Sequence, residues 1–156
     1  MESLHTTLAK ILCDRYTANA ARVRELAAPL SDAQFWRKPF AFGNSFGHLV
    51  LHLTGNLNYY IGAQIAQTGY VRERPQEFTD PNPPSKEEAL QRFEEAVGMV
   101  VQTVRAESSE DWAKEYSAVG TKAPNRLAMI LQCDGHMQHH IGQMLYLAYQ
   151  WSSREK

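Results

Sequence analysis

Apolar residues recur at three- and four-residue spacings in four long segments of this chain, and no stretch alternates with the two-residue period of a strand. A chain patterned this way must bury four helical stripes against one another, which predicts an all-α protein. In the first segment, residues 3–28, the stripe is Leu4, Leu8, Ile11, Leu12, Val23 and Leu26, and Pro29 ends it. The second starts at Asn44 or Ser45, either of which can cap a helix, and runs to about Gln67, with Gly69 as the stop. The third opens at Ser85, where Glu88 three residues on completes a capping-box pattern, and continues through Leu90, Phe93, Val97 and Val100 to about Arg105. The fourth begins near Pro124, a residue suited to a first helical turn, and lasts to about Trp151.

The connections differ in character. Residues 29–43 are polar, with Ser31, Asp32, Gln34, Trp36 and Pro39; residues 69–84 form the clearest loop, holding Pro75, Pro81, Pro83 and Pro84. The stretch 106–123, with Trp112, Tyr116 and Gly120, is irregular by pattern. Helices of roughly 20 to 28 residues are about 30 to 42 Å long, which suits an up-and-down four-helix bundle with a longer crossover between helices two and three. A length of 156 residues argues for one domain, 1–156.

Composition narrows the partners. Sixteen Lys and Arg face 17 Asp and Glu, for a net charge of −1, and the charges are dispersed. That balance gives no electrostatic reason to expect nucleic acid or an anionic membrane as partner. The N-terminal residues lack the basic-then-apolar pattern of a signal peptide, and no apolar run is long enough to span a bilayer, so a cytoplasmic location is expected. Cys13 and Cys133 lie far apart inside predicted helices and read as two buried, reduced thiols.

Five of the six histidines fall in two clusters: His48 and His52, then His136, His139 and His140. On a helical wheel, measured from the middle of the apolar arc, His140 lies about 60° away, His136 about 100° and His139 about 160°. The same construction puts His52 at about 110° and His48 at about 150°. His140, His136 and His52 are thus the inward candidates, and His48 and His139 point nearer to solvent. Two histidines one turn apart can both reach one ion, and a third from a facing helix would complete a three-nitrogen site with an open position. A lone helical histidine is more often a surface or satisfied core residue. Spacing also cannot choose between the clusters, because His48 and His52 form an equally spaced pair.

The segment His136-Met137-Gln138-His139-His140-Ile141-Gly142-Gln143 resembles the H-x-x-x-H-x-G-Q signature on the last helix of the DinB/YfiT-like superfamily. A second motif of that family, S-[IVF]-x-x-L-x-x-H-L, is similar to the run from Ser45 to Leu53, and position for position it selects His52 rather than His48. The approach through Trp36-Arg37-Lys38-Pro39 is similar too. Ile141 departs from the pattern, since many members carry Arg there, so any substrate contact of that Arg is not expected here. The resemblance implies a four-helix bundle, a divalent transition metal, zinc or nickel, on His52, His136 and His140, and a homodimer.

Three neutral imidazoles leave such an ion its full charge, able to lower the pKa of bound water or of a bound thiol. Family resemblance implies both chemistries, through metal-dependent hydrolases and through transferases or isomerases that use a low-molecular-weight thiol such as bacillithiol or mycothiol. Residue 137 is Met, so the H-E-x-x-H glutamate of zinc proteases is absent, and no G-x-S-x-G elbow or phosphate-cradling Gly loop occurs. The expectation is a metal-dependent transferase or hydrolase acting on a small-molecule substrate, with Gln143 and Tyr59 as candidates to orient a bound ligand. The alternative is a metal-binding, stress-associated bundle without turnover.

Overall fold

The computed structural model of the protein describes residues 2–152. In chain order the helices are α1 (Leu4–Ala27), α2 (Asp32–Trp36), α3 (Phe46–Leu57) with a π-helical continuation (Asn58–Ala63), α4 (Gln76–Thr79), α5 (Lys86–Ala106), α6 (Ser109–Ala113) and α7 (Arg126–Ser152). Among the described residues the β pairing is confined to one isolated antiparallel bridge, Glu115–Asn125. The protein is all-α, and no described helix is long and apolar enough to cross a membrane.

The long helices begin where side chains meet their unpaired N–H groups. Ser3 Oγ accepts the Thr6 N–H at 3.1 Å, and α1 ends just before Pro29. At the start of α3, Ser45 Oγ accepts the His48 N–H at 3.1 Å, while His48 Nδ1 accepts the Ser45 N–H at 3.2 Å. His48 is therefore half of a helix cap, half-buried against Trp36 and Phe78. Ser85 Oγ accepts the Glu88 N–H at 3.2 Å, but the reciprocal half of the expected capping box does not form, because the Glu88 carboxylate pairs with Arg92 at 2.5 Å. Nor does Pro124 open the last helix. Asn125 caps it, its Oδ1 accepting the Ala128 N–H at 2.9 Å.

The connections carry more structure than their patterns suggest. Short helices α2, α4 and α6 lie in stretches expected to be loop, each too brief for a periodic stripe. The second long helix also departs from expectation, since α-helical bonding ends at Leu57 and a π-helical turn follows. There the Gln64 N–H donates to Tyr59 O at 3.3 Å and the Ala66 N–H to Ile61 O at 2.9 Å, each bond spanning five residues. Gln67 and Gly69 then take positive φ values of 55° and 78° and turn the chain.

Helices α1 and α3 each pack against both α5 and α7. Tyr16, Phe35, Phe46, Phe93, Ile130, Met137 and Met144 are fully enclosed between them. Each such side chain contributes roughly 1.5–3 kcal/mol of burial. The Tyr16 O–H donates to Ile130 O at 2.7 Å, a satisfied polar tie between α1 and α7. Asp134, also buried, accepts from Arg15 at 2.5 Å and from Asn19 at 3.1 Å. Cys13 and Cys133 are free and buried, and burial pushes the Cys133 thiol up to about 12, which leaves it unreactive.

Candidate metal centre and adjoining cavity

The packing of α3 against α7 brings three imidazoles together. His136 and His140 stand one turn apart on α7, and His52 faces them from α3. His52 Nε2 lies 3.1 Å from His136 Nε2, and one ring nitrogen of each of the three residues lies within 4.8 Å of the others. At metal–nitrogen distances of about 2.1 Å, two ligand nitrogens sit about 3.0 Å apart across a right angle and about 3.4 Å across a tetrahedral one. The 3.1 Å pair falls between these values, and the all-nitrogen donor set suits a borderline divalent ion. The three residues fit such an ion.

Two of the three remaining ring nitrogens are held by acceptors. Glu77 Oε2 accepts from His52 Nδ1 at 2.8 Å, and Gln143 Oε1 accepts from His140 Nδ1 at 2.7 Å. Because a carboxylate can only accept, the proton of His52 sits on Nδ1 and its Nε2 lone pair faces the other histidines. Gln143 is exposed and orients the His140 ring through this bond. Tyr59, the other residue singled out from the sequence, is half-buried on the wall of the neighbouring cavity, its ring edge-on to Tyr60. His139 is exposed.

Two residues that sequence reasoning did not reach complete the surroundings of His52. Arg72 and Glu77 come from the proline-rich crossover, and Arg72 donates to both oxygens of the Glu77 carboxylate, at 2.7 and 3.0 Å. Burial pushes the Glu77 carboxyl up, but the hydrogen bonds from His52 and Arg72 and the Arg72 charge outweigh it and leave the group below its ordinary value. Phe78 adds its ring 5.2 Å from that of His52. Together they make His52 the most enclosed of the three, at 7% exposure, although the wheel ranks it farthest from the apolar arc. Gly55, one turn beyond His52, makes room for this arrangement, since a Cβ there would strike the Glu77 carboxylate. A glycine inside a helix costs about 1 kcal/mol relative to alanine. That was the one signal in the sequence of a close approach at this point.

Electrostatics keep the two α7 rings neutral. Burial first, then the neighbouring His140, His52, His139 and Arg72, lower the pKa of His136 to about 4. Burial also lowers that of His140, against a smaller upward pull from Gln143. At neutral pH both therefore present lone pairs rather than protons.

A cavity of about 560 Å³ opens beside the histidines, lined by His52, His136, Asn56, Tyr59, Tyr60 and Arg74 among others. Its far wall is held in place by two hydrogen bonds. The Tyr60 O–H donates to Val119 O at 3.1 Å, and the Tyr116 O–H to Tyr60 O at 2.8 Å. Gly120, at φ 88°, passes the Tyr60 hydroxyl so closely that a Cβ would lie 2.7 Å from it.

Two solved structures are similar in fold. A conserved protein from Enterococcus faecalis superposes with a TM-score of 0.72 at 15% identity, covering 90% of this chain and 94% of that one. A DinB-like protein from Bacillus cereus ATCC 10987 gives 0.67 at 15% identity, covering 89% of each chain. No curated protein matches significantly. The model of the DinB superfamily matches residues 15–144, a span that contains the three converging histidines, and the chain belongs to that superfamily.

Proposed function

We propose that this protein binds one divalent transition metal, zinc or nickel, through His52, His136 and His140 and works as a thiol-dependent transferase on a small molecule. The observation that carries this reading is the convergence of three imidazoles beside a cavity large enough for a small molecule. When bound there, a divalent ion would supply the electrophilic charge that lowers the pKa of a thiol. The chain's own residues do the rest. Glu77 and Gln143 fix the rings of His52 and His140, and Tyr59 and Tyr60 form one wall of the cavity that would receive the substrate. In the transfer, the thiol loses its proton to solvent and its sulfur forms a bond to an electrophilic carbon, whose leaving group departs with the bonding pair.

Transfer is favoured over hydrolysis because the cavity lining contains no carboxylate to serve as general base for water. Glu77, the nearest acid, is committed to His52 and Arg72. The same reading takes the chain as one domain with up-and-down helix order. The test is to load the purified protein with zinc or nickel, measure metal by elemental analysis, and screen small thiols with electrophilic acceptors. About one ion per chain and consumption of thiol and electrophile together are expected. Absence of metal after reloading would overturn the site, and metal binding without turnover would favour a non-catalytic metal-binding role.

A further inference from the structure

Helix α7 has an outer face unlike those of the other long helices. Its exposed positions share one arc of the helix, with Leu131, Gly135, Gly142, Tyr146 and Tyr149 along it and His139 and glutamines beside them. From Leu127 to Ser152 Asp134 stands alone among Asp, Glu, Lys and Arg, and it is buried against Arg15 and Asn19. The solvent side of a helix normally carries charge. That holds for α1, with Lys10, Asp14 and Arg22, and for α5, with Glu88, Arg92 and Glu95. On α7 the solvent side carries none.

Apolar groups stand there instead. Of the ten large apolar side chains exposed among the described residues, five lie on this surface: Leu131, Tyr146 and Tyr149 on α7, and Phe40 and Phe42 on the turn before α3. Phe42 is 91% exposed and Tyr146 80%. The turn lies against the helix, since Phe40, Phe42, Gln143, Tyr146 and Gln150 line one cavity of about 470 Å³. Gly43 fixes the turn: its N–H donates to Phe40 O at 3.0 Å, and a Cβ there would lie 2.9 Å from the Phe40 ring. A helix of 27 residues is about 40 Å long and about 10 Å wide, so its face covers about 400 Å² before the turn is added. Exposed apolar patches of that order typically mark interaction sites.

We infer that this face binds a second copy of the chain, with α7 packed antiparallel on α7 about a two-fold axis. The missing charge selects a copy over other partners. A partner steered by charge finds nothing to pair with, and an anionic membrane finds no basic residue. The face is also complementary to itself, as a two-fold contact requires. An axis between His140 and Ile141 sets Tyr146 of one copy opposite Gly135 of the other, and His139 opposite Gly142. A Cβ at either glycine meets nothing within 4 Å, so both notches are open to receive those rings. The same axis sets Gln138 opposite Gln143. Gln138 donates its amide to Asn19, which leaves its carbonyl free, and Gln143 gives its carbonyl to His140, which leaves its NH₂ free. The two unused groups are a donor and an acceptor. This pairing needs no metal and stands apart from the transferase reading above.

Sedimentation velocity on the full chain tests it. Wild type should sediment as a dimer at about 50 μM. Gly135→Leu fills the notch yet raises helix propensity and has open space in the single chain, so the fold should persist while the dimer weakens by about thirtyfold or more. Tyr146→Glu should weaken it by a similar factor, again with unchanged circular dichroism. Gly98→Ala, at an equally open position on α5, should leave the dimer intact. A wild-type monomer at that concentration would overturn the proposal and leave the face to a different partner. A dimer of undiminished affinity in either Gly135→Leu or Tyr146→Glu would overturn it too, by showing that the copies meet elsewhere.

Discussion

His52 Nδ1 donates to Glu77 Oε2 at 2.8 Å, joining the most enclosed of the three histidines to a carboxylate 25 residues away in the crossover. The bond sets the tautomer of His52 and, with the two bonds from Arg72, the direction of its ring. An acceptor behind a metal-facing imidazole typically changes metal affinity by about 10- to 100-fold when removed. Glu77→Gln should therefore weaken zinc binding by about that factor, with helicity retained. Competition with a chelator of known affinity measures it, and an unchanged affinity would show that Glu77 only seals the loop.

The histidines should divide into two groups. His136→Ala and His140→Ala should abolish metal binding and His52→Ala should weaken it severely. His139→Ala should keep one ion per chain, because that ring is exposed. His48→Ala should also keep the ion but lose part of the α3 cap, lowering stability by about 0.5–2 kcal/mol. Elemental analysis and thermal unfolding separate these outcomes, and loss of metal in His48→Ala with retention in His52→Ala would reverse the assignment on α3.

Gly55 offers a test that touches no ionisable group. Gly55→Ala would push a methyl group into the Glu77 carboxylate, so metal affinity should fall towards the level of the Glu77 variant. Gly98→Ala on α5, where a Cβ meets nothing within 4 Å, should instead stabilise by up to about 1 kcal/mol and leave affinity alone. Equal metal affinity in the two variants would mean that the crossover can shift without disturbing His52.

The metal-free protein should lose stability on mild acidification. His136 has a folded pKa of about 4 and that of His140 is also lowered, whereas an unfolded histidine titrates near 6.5. As pH falls below about 6.5 the unfolded chain takes up protons that the folded chain refuses, so stability declines, and the decline from His136 levels off below about 4. With chelator present, the melting temperature should drop between pH 7 and pH 5 while circular dichroism stays helical at room temperature. His136→Gln should flatten the slope. A melting temperature that holds or rises over that interval in the wild-type chain would contradict the burial assigned to His136.

The positions of the long helices were legible in the chain because their causes are local. Ser3, Ser45 and Ser85 cap the helix starts with their own side chains, and Pro29 follows the end of α1. The pairing of His136 with His140 is equally local, since four residues bring a helix back to the same face. The choice of His52 over His48 lay within reach of a motif, and the capping bond of His48 Nδ1 supplies its physical reason. What the sequence could not decide was everything that depends on the crossover. Proline-rich segments carry no periodicity, so nothing in the order of residues 69–84 says that Arg72 and Glu77 fold back onto α3 rather than into solvent. The π-helical turn was hidden for a similar reason: one extra residue in a hydrogen-bonded ring leaves the apolar pattern of the helix nearly intact. Only tertiary packing, by setting α3 against α7 and closing the crossover over His52, turned three histidines on two helices into one site.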